Sequence, residues 1–397
     1  MVLAFMAPII PAVMITASFS SFAKISDLPN YYASARMAVE RHGDGIYNFD
    51  AIGAEEKVLF PAIGSRVVRL YVPPPALPWL LPLACFSRQA VPAVWVSALI
   101  AAFAASLFLL KPLFQLSWTE ILAVWAVAVV SGPLYEAIRI GQLSSLLLLS
   151  FCLTLWALKA KRSLLAGLAM SFFLLKPQEM LPFVAYLLGG RRWKPVACML
   201  VIACLLAVVS FCVIGPDGYR NYLHLMLSAF GNTQGMQPEL SPTLRGQLLR
   251  FFPEQKLAVI ALSSVVSAAV LVVNWLLGRS FKRHRQWLEV GVAAAVPIGV
   301  VSALYCHDYD LLLLIPSVVA CLKLGLCARL PEPVKLAVIL TATILLLPVY
   351  KWVHYDYLLS GGACNPIFWY LAGLSVSMVL LVNRCRLELL LDDRANA

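Results

Sequence analysis

Five short stretches of this chain carry residue types that could do chemistry. The first is SDLPNYYASARMAVERHG, residues 26–43. Ser26 or Asp27 followed by Leu28 and Pro29 reads as a helix start, a cap with proline in the first turn. Tyr31, Ala35 and Ala38 follow Asp27 at helical spacing, and Gly43 is the expected stop. Asp27 then has two compatible roles. It can cap a surface helix, and it can take the proton from an attacking hydroxyl as a general base. The second stretch, GQLSSLLLLSF (141–151), sets Gln142 at the head of an apolar run, where an amide can cap the interface or hydrogen-bond a hydroxyl-rich ligand. In LLKPQEMLPF (174–183), Lys176, Pro177 and Gln178 separate two apolar stretches. Proline breaks the helix there, so Lys176 is either a snorkelling turn residue or a counter-ion for a phosphate. In SPTLRGQLLRFF (241–252), Arg245 is a solvated loop charge or a fork for a phosphate. In YCHDYDLLLLIP (305–316), His307 and Asp308 form a polar turn at the head of an apolar run, or contribute to a binding site. Asp44, Asp50, Glu55 and Glu56 read as ordinary loop charges.

The elements that must position these residues are membrane helices. The chain has 397 residues, 61% hydrophobic and 13% charged, against about 25% charged in soluble domains. Apolar blocks of helical span length recur throughout, which excludes a soluble enzyme and the alternating pattern of a membrane β-barrel. Candidate spans are 2–20, 89–110, 118–133, 143–158, 163–175, 178–190, 195–215, 257–278, 288–304, 309–327, 333–350 and 366–383. Residues 2–20 lack a basic start and a small-residue cleavage site and read as a retained first span. The proline-rich stretch 73–87 reads as interfacial rather than as a crossing.

With the N-terminus in the cytoplasm, the tight turns KAKR, GGRRWK and GRSFKRHR all fall inside, and the whole net charge of +11 lies on that side. The basic balance is therefore a matter of topology, and no nucleic-acid partner is expected. The expected organisation is one transmembrane domain over 1–397, with outer loops at about 21–88 and about 216–256. All five polar stretches then lie toward the outer face. The ten cysteines are scattered, mostly within apolar blocks, and form no C-x-x-C pair. Cys306 and Cys364 both fall near outer turns, where a disulfide between them would be compatible with the topology. There is no P-loop, G-x-G-x-x-G, H-E-x-x-H or G-x-S-x-G, so a nucleotide-driven pump and the common hydrolases find no support.

Taken in order, SDLPNYYASARMAVERHGDGIYN, YVPPP (71–75), GQLSSLLL, LKPQEMLPFVAYLLGGRRWK, SPTLRG and CHDYDLLLLIP resemble glycosyltransferase family 87. These are membrane enzymes of the GT-C superfamily that use polyprenol-phosphate-mannose. The series departs from the family pattern at Ser144 and Glu179. The resemblance implies an all-α polytopic bundle of about 12 transmembrane helices, with juxtamembrane helices in the first outer loop. It implies Asp27 as the catalytic base, Lys176, His307 and Arg245 as ligands of the donor phosphate, and Tyr31, Tyr32, Gln142, Gln178 and Asp308 as substrate-binding residues. The expected partners are a polyprenyl-phosphate sugar donor, a lipid or glycan acceptor and membrane lipids. The expected location is a bacterial inner membrane with the active site on the periplasmic or extracellular side. No cofactor and no metal are expected. The rival reading is a multi-span transporter or lipid flippase, which predicts charged or unwound sites near the bilayer midplane and repeated halves. A third is a non-catalytic assembly partner in which Asp27 is dispensable.

Overall fold

The structure is a computed structural model that describes residues 19–40, 42–129, 131–231, 241–283, 287–303, 305–327 and 365–369, with Ala372, Gly373, Ser375 and Val376. The expected spans 2–20 (but for its last two residues) and 333–350, most of 366–383, and Cys364 lie outside the described residues. Among the described residues the regular structure is entirely helical. The helices are α1 (Phe19–Ile25), α2 (Leu28–Val39), α3 (Phe49–Leu59), α4 (Val91–Phe114), α5 (Trp118–Val129), α6 (Gly132–Arg139), α7 (Ser144–Lys159), α8 (Ser163–Ser171), α9 (Pro177–Gly189), α10 (Trp193–Gly231), α11 (Leu244–Phe251), α12 (Lys256–Phe281), α13 (Trp287–Ser302) and α14 (Leu314–Cys327).

Three of these helices are long and apolar enough to cross a membrane: α4, α10 up to Ser228, and α12. A bent pair, α5 and α6, qualifies as a fourth if taken as one span. Their surfaces agree with that reading. On α10, Leu205 and Val208 are 61% and 63% exposed; apolar side chains left uncovered along a whole helix belong against lipid rather than water. The chain also breaks where the composition changes. α10 is interrupted at Gly215, whose φ of 64° is left-handed, and Pro216 follows. The apolar run ends there and a polar helical segment begins. Residues 73–87 form two short 3₁₀ turns, Pro74–Trp79 and Leu81–Cys85, because prolines at this density leave no amide ladder for an α-helix.

The described chain groups into two compact units. The first takes residues 1–107, 134–177 and 197–237; the second takes 108–133, 178–196 and 238–397. In the first unit α7 packs on α8, and Ser150 Oγ donates to the Ala169 carbonyl at 2.6 Å. α2 lies almost wholly inside, with Leu28, Tyr31, Tyr32, Ala33 and Ala35 buried. In the second unit α13 packs on α12 and α14. There α9 and α12 approach backbone to backbone. A Cβ at Gly189 would lie 1.9 Å from the Trp275 carbonyl oxygen, and one at Gly278 1.9 Å from that of Tyr186. Small residues permit such approach in membrane helices, where close van der Waals packing replaces the hydrophobic drive.

Candidate active site

Asp27 stands immediately before α2, with Pro29 in the first turn, but its carboxylate caps no α2 amide. It is turned toward segments far away in sequence. Oδ1 accepts a hydrogen bond from Arg66 Nη2 at 3.0 Å, and Oδ2 accepts one from Gln142 Nε2. The backbone is pinned as well, since the Asp27 N–H donates to the Ile140 carbonyl at 2.8 Å. The capping reading of Asp27 therefore holds only for its position in the chain; its side chain is committed to a polar cluster.

That cluster is built from local rules. Gly141 adopts φ 69° between α6 and α7, a left-handed conformation that glycine takes without penalty. Its carbonyl accepts from Trp95 Nε1 at 2.9 Å. The turn delivers Gln142 to Asp27, and Tyr31, one turn along α2, places its hydroxyl 3.4 Å from Gln142 Oε1. Lys176 sits between the 3₁₀ turn Phe172–Leu175 and α9, where Pro177 forces the break, and its charge acts on Asp27.

The electrostatics pull in two directions. Burial pushes the Asp27 carboxyl above the usual aspartate range. The Arg66 charge and hydrogen bond, the Lys176 charge and the Gln142 hydrogen bond oppose that shift without cancelling it. The side chain keeps 20% of its surface exposed, so the carboxylate is enclosed yet reachable. An acid in this state holds a proton more readily than a surface aspartate, which is the property a general base needs.

Two residues of this cluster were not among those singled out by sequence. Arg66 binds Asp27 and also donates through Nη1 to the carbonyls of Ser26, at 2.8 Å, and Lys24, at 3.2 Å. It fixes both the carboxylate and the chain that leads into it. Glu56 is the second, and here the expectation of an ordinary loop charge is corrected. It is 1% exposed, accepts from Asn30 Nδ2 at 3.0 Å and from the Val68 N–H at 3.2 Å, and has its carboxyl pushed up to about 7 by burial. Glu56 thereby staples the 66–70 segment to α2, and that segment carries Arg66. No sequence motif marks either residue.

The structure brings Asp27, Tyr31, Gln142 and Lys176 together in the first unit. Tyr32 belongs to the same helix but packs elsewhere: it is 3% exposed, its hydroxyl donates to the Phe86 carbonyl at 2.9 Å and its ring meets Phe60 edge-on. Gln178 lies half-buried in the first turn of α9 and belongs to the second unit.

Arg245, His307 and Asp308 belong to the second unit. Thr243 caps α11 by accepting from the Gly246 N–H at 3.2 Å, which sets Arg245 in the first turn with 8% of its surface exposed. Burial lowers the Arg245 guanidinium from its usual value, and neighbouring Tyr305 opposes that. Ser241 Oγ donates to the Cys306 carbonyl at 2.7 Å and accepts from the Cys306 N–H at 3.1 Å. Asn365 joins them, donating through Nδ2 to the Ser241 carbonyl at 3.2 Å and through its backbone N–H to Gln247 Oε1 at 2.6 Å. His307 is the N-cap of the 3₁₀ turn Asp308–Leu313, in a reciprocal capping box with Asp310. The ring nitrogen that accepts the backbone N–H carries no proton, so the ring's N–H is on the other nitrogen. Asp308 is 8% and Asp310 2% exposed. Among the described residues no group of three or more His, Cys, Asp and Glu side chains gathers in a way that could hold a metal ion.

The profile of glycosyltransferase family 87 matches residues 70–295. The match includes Gln142, Lys176, Gln178 and Arg245, begins after Asp27 and Arg66, and ends before His307. Neither a curated protein nor a solved structure matches the chain. The matched segment covers more than half of an all-helical chain with membrane-length helices, and the chain belongs to glycosyltransferase family 87.

Proposed function

We propose that this glycosyltransferase moves a sugar, mannose, from a polyprenyl-phosphate donor to a lipid or glycan acceptor, with inversion and with Asp27 as the general base. The observation that carries the proposal is the setting of Asp27: an enclosed carboxylate with a raised proton affinity, held at a fixed orientation by Arg66 and Gln142. The acceptor hydroxyl loses its proton to Asp27 as its oxygen attacks the anomeric carbon. The bond from that carbon to the lipid-phosphate oxygen breaks on the opposite face, and polyprenyl phosphate leaves. Charge that develops on the departing phosphate needs a cation aimed at it. Lys176 is the candidate in the first unit, and Arg245 and His307 are the candidates in the second. Tyr31, Gln142, Gln178 and Asp308 are assigned to sugar hydroxyls, and Tyr32 to shaping α2 behind them. No step is assigned to a metal or cofactor. The location that fits is a bacterial inner membrane, multi-pass, with the reaction on the periplasmic or extracellular side.

The transporter alternative calls for charged groups in the middle of spans. The apolar stretches of α4, α12 and α10 before Gly215 carry Lys and Arg only toward their ends, which favours chemistry at the rim. The test is transfer by purified protein in liposomes, with labelled polyprenyl-phosphate mannose and an envelope-lipid acceptor pool. Transfer should collapse in Asp27→Asn while the unfolding temperature holds. Equal transfer by the variant would remove Asp27 from the chemistry. Lipid translocation without transfer by the wild type would favour the transporter.

A further inference from the structure

A cavity of about 400 Å³ lies in the first unit, apart from the Asp27 cluster. None of Asp27, Arg66, Gln142 and Lys176 lines it. Its walls come from two segments: the stretch around α3, with Asn48, Phe49 and Arg69, and the polar part of α10 after Gly215, with Asn221, His224 and Ser228. The two walls are tied together. Asn221 Nδ2 donates to the Asp44 carbonyl at 3.1 Å, and the rings of Tyr47 and Tyr222 meet edge-on at 5.0 Å.

The lining chemistry is one-sided. Among the described residues it includes Arg69 and His224 and no acid. Arg69 is half-buried, and among the described residues its guanidinium makes no ion pair. It lies over the Phe49 ring, 4.8 Å from the centroid, which occupies a face and leaves the N–H edges for a fork onto an oxyanion. Asn48 spends its carbonyl oxygen on the first turn of α3, accepting from the Asp50 and Ala51 N–H groups. What it keeps for the cavity is its Nδ2 donor.

Placement narrows the ligand further. On α10, residues 221, 224, 225 and 228 share the cavity face at helical spacing. Leu223 and Leu227 lie on the other side of the same helix and are 58% and 62% exposed. This segment directly follows an apolar run of span length. A helix with an apolar outer face at the end of a span rests in the headgroup region of a bilayer, where lipid phosphates are found. We infer that this cavity binds the phosphate of an anionic membrane lipid headgroup, with Arg69 as its fork and Asn48 and His224 as further donors.

The test is native mass spectrometry of the full-length protein in a non-ionic detergent, titrated separately with phosphatidylglycerol and phosphatidylcholine. One phosphatidylglycerol should bind more tightly than phosphatidylcholine. Arg69→Gln should weaken it about tenfold, as loss of a charge-assisted hydrogen-bond pair does. His224→Gln, on the other wall, should weaken it less, and Arg69→Lys should restore part of the loss. Asp27→Asn should bind as the wild type does, which separates this site from the proposed catalysis. Equal retention of both lipids, or wild-type binding by both Arg69→Gln and His224→Gln, would overturn the assignment. Displacement of the lipid by inorganic phosphate at matched concentration would also overturn it, by assigning the cavity to a soluble anion.

Discussion

Arg66 and Asp27 are paired at 3.0 Å across 39 residues of chain, and the same guanidinium holds the carbonyl of Ser26 at 2.8 Å. One side chain thus helps to fix the orientation of the carboxylate and restrains the proton affinity that burial raises. An adjacent arginine lowers a carboxyl by about 1 to 3 pH units, so Arg66→Gln should move Asp27 further upward. The acid limb of the transfer-rate profile should then shift to higher pH by about 1 unit. Transfer should fall about tenfold on the acid side of the limb, with a smaller loss above it. Arg66→Lys keeps the charge but not the fork, and should keep the wild-type limb at a reduced maximum. A pH–rate series on the three proteins checks both statements; an unshifted limb in Arg66→Gln would detach Arg66 from the chemistry.

Glu56 makes stability depend on pH with a defined sign. Its folded value of about 7 lies above the ordinary value of 4.5, so the folded state binds this proton more tightly than the unfolded state does. The associated stability is fully present below pH 4.5 and is lost as pH rises through about 7, a difference on the order of 3 kcal/mol. Asp27 is raised by burial too and contributes with the same sign. The wild-type unfolding temperature should therefore fall between pH 5 and pH 8. Glu56→Gln should show a smaller fall over that window, which thermal unfolding in detergent at four pH values will reveal.

Some of this site could be read from the sequence and some could not, for physical reasons. Asp27, Gln142 and Lys176 each stand within two residues of a proline or glycine at the edge of an apolar run, and such breaks are local signals. Arg66 and Glu56 work through partners 39, 26 and 12 residues away, and their own segment has no periodicity to mark which side chains turn inward. The helix positions along the apolar blocks were equally legible: 143–158 appears as Ser144–Lys159, and 288–304 as Trp287–Ser302. Length was legible too: these two helices have 16 residues each, about as short as the apolar blocks themselves and below the roughly 20 that span a bilayer upright. The stop expected at Gly43 came early. α2 ends at Val39, and Gly43 is needed for proximity instead, since a Cβ there would sit 2.4 Å from the Val213 carbonyl oxygen.

Gly141 tests how tightly the turn must be made to deliver Gln142. A Cβ there would meet Trp95 Nε1 at 3.3 Å and Phe22 Cζ at 3.4 Å, on a backbone with φ 69°. Gly141→Ala should cost about 1 to 2 kcal/mol of stability through the left-handed conformation and should displace the amide from Asp27. Transfer should drop more than the unfolding temperature alone would explain. Gln142→Ala offers the comparison: a similar loss of transfer with the turn intact would show that Gly141 acts through the amide it positions.

Ser241 holds the 305–310 turn through both backbone groups of Cys306. Ser241→Ala leaves the Cys306 N–H without that acceptor in a buried setting, at a cost of about 1 to 3 kcal/mol. The loss should appear locally before it appears globally, because the turn is one short 3₁₀ element anchored at its start. Cys306 is 2% exposed and should react slowly with a thiol reagent in the wild type. In Ser241→Ala its labelling should accelerate about fivefold or more, corresponding to a shift of the local opening equilibrium by 1 kcal/mol. Ser241→Thr retains the hydroxyl and should label nearly as slowly as the wild type. Unchanged labelling in Ser241→Ala would mean that the capping box of His307 and Asp310 suffices to hold the turn.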